Sequence, residues 1–142
     1  EVSREGYKFN MNDLSASIGR VQLKRFRSLM SKKNSLIRYY IKKIQSINFN
    51  LLLPYDIQNN SYWIMGLKHK KRDLLMNHLN KNNISTGVHY LPLSKHPLYK
   101  KYDKGLKVSN NIWQEILTLP LHTGMSKKDI DRIAYCLNNF QK

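Results

Sequence analysis

Residues 6–23 read GYKFNMNDLSASIGRVQL, and this stretch decides how the rest of the chain is interpreted. It begins as a loop and passes into the longest helical pattern in the sequence. Asn12 is a favourable N-cap, because its side-chain oxygen can accept a hydrogen bond from a free backbone N–H of the first turn. Asp13 follows in that turn, where a negative charge suits the helix dipole. A helix is therefore predicted to begin at this point.

The predicted helix is unusually long for a chain of 142 residues. Apolar residues recur near helical spacing with charged residues between them, and no proline interrupts the pattern before Pro54. They are Leu14, Ile18, Val21, Leu29, Ile37, Tyr40, Ile41, Ile44 and Ile47. We predict one helix over residues 12–47, about 50 Å long at 1.5 Å per residue. Such a helix typically bridges domains or subunits.

The remainder alternates short strands with helices. An irregular connection rich in Asn is predicted first, and a Ser-x-x-Asp capping box at Ser126 opens the last helix. The predicted elements are a connection over 48–60, strands over 61–67 and 84–90, helices over 71–82 and 108–117, a short strand at 118–119 and the final helix. The prediction is an α/β fold, a small sheet of two or three strands covered by helices. We expect residues 1–47 to form an interface loop and bridging helix, and residues 48–142 a small domain.

Charge is the strongest compositional signal. Lys and Arg number 25 against 9 Asp and Glu, a net charge of +16. Such a surface attracts phosphates on nucleic acids or on small molecules. However, Lys, Asn and Ile make up 45 residues, a bias that an A/T-rich genome would produce. The basic residues of the long helix also spread around it, whereas a nucleic-acid-binding stripe would gather on one face.

Cysteine content and hydropathy bear on the compartment. The single Cys136 excludes an internal disulfide and a cysteine-based zinc site, and its place in an amphipathic helix predicts a core residue. There is no membrane-spanning apolar run and no signal-peptide core, so we expect a cytoplasmic protein without a membrane partner. The chain does not begin with Met, which indicates an excised segment or a processed chain.

The N-terminal stretch resembles the loop and helix of the DegT/DnrJ/EryC1/StrS sugar aminotransferases. The matching residues are 6–14, followed by Ala16, Ile18-Gly19 and Gln22-Leu23. In that family the loop reads Gly-aromatic-Asn-aromatic-Arg-Met, so Lys8 stands for the Asn and Asn10 for the Arg.

Two later stretches resemble the same family in order and in spacing. Residues 83–90, NISTGVHY, match its Gly-Ile-x-Thr-Gly-Val-His-Tyr strand, with Asn83 in place of the first Gly. Residues 91–99 resemble the following Pro-Leu-His-x-x-Pro-x-Tyr segment, with Ser94 in place of the His. Residues 117–122, LTLPLH, match its Leu-Ser-Leu-Pro-Leu segment. The resemblance thus covers nearly the whole chain.

The resemblance implies a pyridoxal-phosphate (PLP) aminotransferase of fold type I that acts on keto-sugars linked to nucleotides. It also implies glutamate as amino donor and a homodimer with active sites at the subunit interface. In the family the Schiff-base lysine lies in the large domain, upstream of this stretch, and none of the 18 lysines here has that setting. The expectation is a C-terminal segment that is inactive without a large domain.

The resemblance also suggests site residues. Lys8 and Asn10 would lie in a loop that reaches the partner subunit's cofactor, Lys8 as a point charge near its phosphate. His89 and Tyr90 would face the substrate, with His96 and Tyr99 as weaker candidates.

The other histidines are read differently. His69, His78 and His122 are expected at the surface or on helix faces, and their spacing predicts no metal site.

Two other hypotheses stay open. One is a stand-alone basic module that binds nucleic acid through the long helix; this reading leaves the 6–11 loop and the His89-Tyr90 pair unexplained. The other is a non-catalytic remnant that keeps the small-domain fold and dimerises.

Overall fold

A computed structural model describes residues 4–44, 49–52 and 60–140 of the chain. The helices are α1 (Asp13–Lys43), α2 (Arg72–Lys81), α3 (Lys107–Glu115) and α4 (Lys127–Asn138). The strands are β1 (Asn50–Leu52), β2 (Met65–Lys68) and β3 (Ile116–Leu119), and two 3-10 segments span Leu93–Lys95 and Pro97–Tyr102. The described part contains no helix that is both long and apolar enough to cross a bilayer.

The long helix α1 begins where the sequence predicted. Asn12 is its N-cap, and the Asn12 side-chain oxygen accepts a hydrogen bond from the backbone N–H of Ser15 at 2.8 Å. The helix runs for 31 residues, which is about 46 Å at 1.5 Å per residue. It ends at Lys43, and residues 45–47 of the predicted helix lie outside the described residues.

The three strands form one antiparallel sheet in the order β1-β2-β3. Gly66 of β2 pairs with Leu52 on one side and Thr118 on the other. A Cβ at residue 66 would lie 3.3 Å from the Leu52 side chain, so glycine permits this close approach. The predicted small sheet of two or three strands covered by helices is confirmed, and the described residues contribute three strands to it.

Two expectations about strands were wrong. The stretch predicted as an irregular connection contains β1, and its residues 53–59 lie outside the described residues. The predicted strand over 84–90 is absent from the described structure, which has only an isolated bridge between Gly87 and Thr118. The neighbours of Gly87 do not continue that pairing, so no ladder of strand hydrogen bonds forms.

The core lies where one end of α1 meets the sheet, α2 and α4. It includes Leu36, Ile37 and Tyr40 of α1, Met65 and Leu67 of β2, Leu75 and Leu79 of α2, Leu117 and Leu119 of β3, and Ile130, Ile133 and Leu137 of α4. The Tyr40 hydroxyl donates to the carbonyl of Pro120 at 2.8 Å, and burial raises its pKa. Cys136 is buried with a free thiol, which confirms its predicted place in the core.

Helix α4 begins with the predicted capping box. The Ser126 side chain accepts from the backbone N–H of Asp129, and an Asp129 carboxylate oxygen accepts from the backbone N–H of Ser126 at 2.7 Å. Hydrogen bonds donated by the Ser126 backbone N–H, and next by the Ser126 hydroxyl, hold the pKa of the Asp129 carboxyl below its ordinary value. The cap fixes the start of the helix that carries Ile130 into the core.

Candidate substrate site

The C-terminal end of α2 determines the path of the backbone that leads to His89 and Tyr90. The backbone N–H of Ile84 bonds to the carbonyl of Leu79 at 2.9 Å, and that of Asn83 to the carbonyl of Asn80, also at 2.9 Å. This pair of hydrogen bonds is a Schellman motif, which needs a left-handed residue after the helix. Asn83 provides it with a φ of 57°, a conformation that asparagine tolerates better than most residues. The left-handed conformation of residue 83 explains why Asn can replace the Gly of the resembling family motif at this position.

After that turn, Gly87 connects the segment that carries His89 to strand β3 through two backbone hydrogen bonds. The backbone N–H of Gly87 donates to the carbonyl of Thr118 at 3.1 Å, and the backbone N–H of Thr118 donates to the carbonyl of Gly87 at 2.7 Å. The His89 ring folds back over Gly87, where a Cβ would lie 2.7 Å from the ring's Cε1. Glycine is therefore required here for the imidazole to keep its position.

The His89 imidazole has a defined polar partner. Its Nδ1 lies 3.0 Å from the Thr118 hydroxyl oxygen, and the peptide bond between His89 and Tyr90 is cis. Because one ring nitrogen is engaged by Thr118, Nε2 is the nitrogen left for a further contact.

Three aromatic rings meet at this point. The Tyr90 ring is perpendicular to that of His89 at 4.7 Å between centroids, and the Trp63 ring is edge-on to His89 at 5.8 Å. Trp63 and Tyr90 are nearly parallel, with an angle of 17° and centroids 6.2 Å apart. We call Trp63, His89 and Tyr90 the aromatic cluster. The structure thus brings the two predicted substrate residues together with Trp63.

Sequence reasoning missed Trp63 and Thr118 as members of the site. Both had been assigned only to strands. Trp63 lies next to Tyr62, which is buried, while Trp63 itself is 59% exposed. The short aromatic run Tyr62-Trp63 is a signal the sequence contained, but the proximity of Trp63 to His89 depends on the fold.

The two predicted cofactor residues lie elsewhere. Lys8 and Asn10 are exposed on an N-terminal arm, defined as residues 4–12, that precedes α1. Leu36, the first buried residue of α1, lies 23 residues beyond Asp13, about 35 Å along the helix. Within the described residues no hydrogen bond or ring contact joins Lys8 or Asn10 to the aromatic cluster. Their predicted role remains a prediction.

The weaker candidates follow the cluster in the chain. His96 is half-buried between the two 3-10 segments, and Tyr99 is exposed in the second of them. Neither has a ring contact with Trp63, His89 or Tyr90 within the described residues.

The expectation that His69 lies at the surface was wrong. His69 is 7% exposed, its ring lies between those of Phe49 and Phe140, and its Nδ1 accepts from the backbone N–H of Lys71 at 3.0 Å. The sequence could not show this, because Phe49 and Phe140 approach His69 only through the tertiary fold.

The remaining histidines, His78 and His122, differ in exposure. His78 is half-buried on α2, with Nε2 3.1 Å from the carbonyl of Cys136, and His122 is exposed. No group of three or more potential His, Cys, Asp or Glu ligands comes together among the described residues.

A Schiff-base lysine is normally desolvated in an apolar pocket or lies beside another cation. The buried polar or charged side chains in the described part of the chain are His69, Arg72 and Ser94, so no described lysine is buried. Lys8 is exposed on the N-terminal arm, and a lysine ammonium is a point charge of the kind that can contact a phosphate.

Similar structures share this architecture. The PseC aminotransferase of Helicobacter pylori, described as involved in the biosynthesis of pseudoaminic acid, superposes with a TM-score of 0.87 at 23% identity. The match covers 97% of this chain and 39% of PseC. A DegT/DnrJ/EryC1/StrS aminotransferase from Brucella abortus matches with a TM-score of 0.85 at 25% identity, covering 97% of this chain and 38% of that one. The fold is thus that of a part of the type I aminotransferases.

The sequence narrows the class to one family. The model of the DegT/DnrJ/EryC1/StrS aminotransferase family matches residues 1–138, and the chain belongs to that family. It is also similar to the spore coat polysaccharide biosynthesis protein SpsC of Bacillus subtilis strain 168, with 28% identity over 156 residues. That match covers all of this chain and 40% of SpsC, so the chain spans about two fifths of the relatives it matches. Members of the family are in general PLP-dependent.

Proposed function

We propose that this chain is the C-terminal part of a cytoplasmic, PLP-dependent aminotransferase that aminates a nucleotide-linked keto-sugar for polysaccharide or amino-sugar synthesis. Glutamate is the proposed amino donor. The observation that carries the proposal is the family match over residues 1–138, in a chain that spans about two fifths of its relatives. Catalysis would then need a large domain that supplies the Schiff-base lysine.

The proposed organisation has two parts. Residues 1–47 form an interface loop and bridging helix, and residues 48–142 form a small domain. The bridging helix is anchored in the small domain, because Leu36, Ile37 and Tyr40 are core residues. Its other end exposes apolar side chains that a large domain or a second subunit would cover; they include Leu14, Ile18, Val21, Leu23 and Phe26. A homodimer is the proposed assembly.

Each proposed site residue has a limited part. PLP, when bound, supplies the electron sink for the amino-group transfer. Lys8 would place a positive charge near the cofactor phosphate, and Asn10 would offer amide hydrogen-bonding groups beside it. His89, held by Thr118, and Tyr90 would contact the substrate from the small domain. The exposed positions of Lys8 and Asn10 support the idea that they act across an interface.

The test joins the chain to a large domain. The chain is expressed together with the large domain encoded in its own gene, where the reading frame contains such a domain. Otherwise the chain is fused to the C-terminal end of the large domain of SpsC. The expected result is PLP bound with the absorbance of a Schiff base, and transfer of an amino group from glutamate to a keto-sugar nucleotide. A folded protein that binds no PLP would contradict the proposal. Tight, salt-sensitive binding to DNA would favour the hypothesis of a nucleic-acid-binding module. A dimer that binds no cofactor would favour the hypothesis of a non-catalytic remnant.

Site variants refine this test. Lys8→Ala should increase the dissociation constant for PLP, while Lys24→Ala, a change at an exposed lysine on α1, should leave it unchanged. His89→Asn should raise KM for the sugar nucleotide, and His122→Asn, at an exposed histidine, should not. Equal effects in each pair would remove Lys8 or His89 from the proposed site.

A further inference from the structure

Trp63 and Tyr90 are two large aromatic side chains that stack on one another and remain mostly exposed. Trp63 is 59% and Tyr90 64% exposed, and their ring planes differ by 17°. Aromatic rings carry large apolar areas, so exposing two of them together is unfavourable unless something covers them. The neighbouring His89 fixes both, because its ring contacts each of them edge-on.

The chain's other tryptophan is a useful contrast. Trp113 is half-buried, and its ring lies under two cations, the Lys95 ammonium at 5.3 Å and the Arg72 guanidinium at 5.9 Å. Those contacts give Trp113 partners within the chain. Among the described residues the ring contacts of Trp63 are with His89 and Tyr90, and 59% of Trp63 is exposed.

We propose that Trp63 and Tyr90 form a stacking platform for one ring of the substrate, either the flat base or the C–H face of the sugar ring of a nucleotide-linked sugar. The inference rests on the proposed function and adds Trp63 as a specificity-determining residue. Aromatic side chains suit such a ligand because every base has a π-face that can stack on them, and the C–H groups of a sugar ring can lie against their large apolar faces.

The His89 imidazole beside the two rings favours a small polar ligand over an apolar protein surface. With Nδ1 of His89 engaged by Thr118, Nε2 has no hydrogen-bond partner within the described residues. An apolar protein surface that buried the aromatic cluster would leave that nitrogen unpaired, which is costly. A nucleotide sugar offers a flat base, the C–H face of a sugar ring, and hydroxyl and carbonyl groups that can pair with Nε2. The exposed half of α1, in contrast, carries large exposed apolar side chains such as Leu14, Ile18 and Val21, and suits a protein partner.

The first experiment uses the 142-residue chain with Trp113→Phe, which leaves Trp63 as the only tryptophan. Its fluorescence is titrated with UDP-N-acetylglucosamine, with UDP and with N-acetylglucosamine, each up to about 10 mM, a range that reaches weak binding. The expected result is a saturable change. A response to UDP alone assigns the base, and a response to the free sugar assigns the sugar ring. No saturable change with any of the three would overturn the inference.

Two further variants act as controls in the same titration. Tyr90→Ala, combined with Trp113→Phe, should weaken binding about 5- to 150-fold, the range expected for loss of one stacking partner. Trp63→Phe leaves Trp113 as the reporter and should show no saturable change in fluorescence. An equal response from that variant would mean that the ligand acts elsewhere, and would also overturn the inference.

A second experiment separates this inference from the proposed function. In the protein joined to its large domain, Trp63→Ala should raise KM for the sugar nucleotide while PLP loading and KM for glutamate stay unchanged; Trp113→Phe is the control. If the wild type is active and Trp63→Ala leaves KM for the sugar nucleotide unchanged, the stacking platform is rejected and the proposed function stands. If the wild type binds no PLP, the proposed function fails, and the fluorescence titration still decides the platform.

Discussion

The two ends of α1 share a pattern of apolar residues at helical spacing but have opposite surroundings. Towards Lys43, Ile37 and Tyr40 are fully buried against α4 and the sheet. Towards Asp13, Leu14 is 73% exposed, and Ile18 is also exposed. Both halves carry apolar residues at helical spacing, so the pattern alone does not say which half finds a partner in the same chain. The difference shows that a stripe of apolar residues predicts a helix face that will be buried, but not which element or partner buries it.

Polar contacts also gather at the packed end. The Tyr39 hydroxyl donates to Asp131 at 3.0 Å, the Lys43 ammonium lies 2.9 Å from the same carboxylate, and Asn138 donates to the carbonyl of Lys43. At the free end the local hydrogen bond of the Asn12 cap is the contact that holds the first turn. We therefore expect changes at the packed end to alter global stability, and changes at the free end to act locally.

The largest contrast is expected between two isoleucines of the same helix. Ile37→Ala removes fully buried methyl groups and should lower the free energy of unfolding by about 2–5 kcal/mol. Ile18→Ala, at an exposed position, should change it by no more than about 0.5 kcal/mol. Urea unfolding of the two variants measures both values. Similar losses would mean that the free half is already buried in the isolated chain.

A tyrosine pair gives the next largest difference. Tyr40→Phe removes the hydroxyl that donates to Pro120 and leaves that carbonyl without its hydrogen bond, at an expected cost of about 1–3 kcal/mol. The control is Tyr7→Phe on the exposed arm, where a change within about 0.5 kcal/mol is expected. The comparison fails if thermal unfolding shows that both variants are as stable as wild type.

The two helix caps provide a third comparison. Ser126→Ala breaks the capping box of α4, which packs in the core, and should lower global stability by about 1 kcal/mol. Asn12→Ala breaks the cap of the free end, so amide exchange should become faster in the first turn of α1 while global unfolding changes little. Hydrogen exchange and urea unfolding together distinguish the two effects. A global loss in Asn12→Ala would show that the free end folds cooperatively with the core.

The smallest expected effect is a pH dependence. Hydrogen bonds from Lys43 and then Tyr39 hold the pKa of the Asp131 carboxyl below its ordinary value of 3.8. A lowered pKa stabilises the fold above the unfolded value, and this contribution is lost as the pH falls through the folded value. Wild type should therefore lose more stability than Asp131→Asn on acidification below about pH 3.8. Parallel curves of unfolding free energy against pH would contradict this contact.

Much of the fold could be predicted because it depends on local chemistry. The Asn12 cap, the Ser126 capping box and the helical periodicity all act within a few residues, and each was found where the sequence placed it. Cys136 was also assigned correctly, because its neighbours on α4 are apolar.

The strand over residues 84–90 was mispredicted for a physical reason. Ile84, Val88 and Tyr90 are residue types that strands favour, but a strand also needs a neighbour that continues the ladder of hydrogen bonds. Of residues 84–90, only Gly87 forms backbone hydrogen bonds with β3, and the His89 ring lies over Gly87. The residue types indicate a preference for strand conformation, but a strand forms only where a partner strand is aligned to pair with it.

The sequence alone was enough for the long helix, the caps at Asn12 and Ser126, the net charge and the family, because these follow from residue type and spacing along the chain. Three features depend on packing: which half of α1 is buried, the position of His69 between two phenylalanines, and the contact of Trp63 with His89 and Tyr90. These contacts join residues that are far apart in the chain. They form only when the sheet and the helices pack, and local preferences carry no information about that proximity.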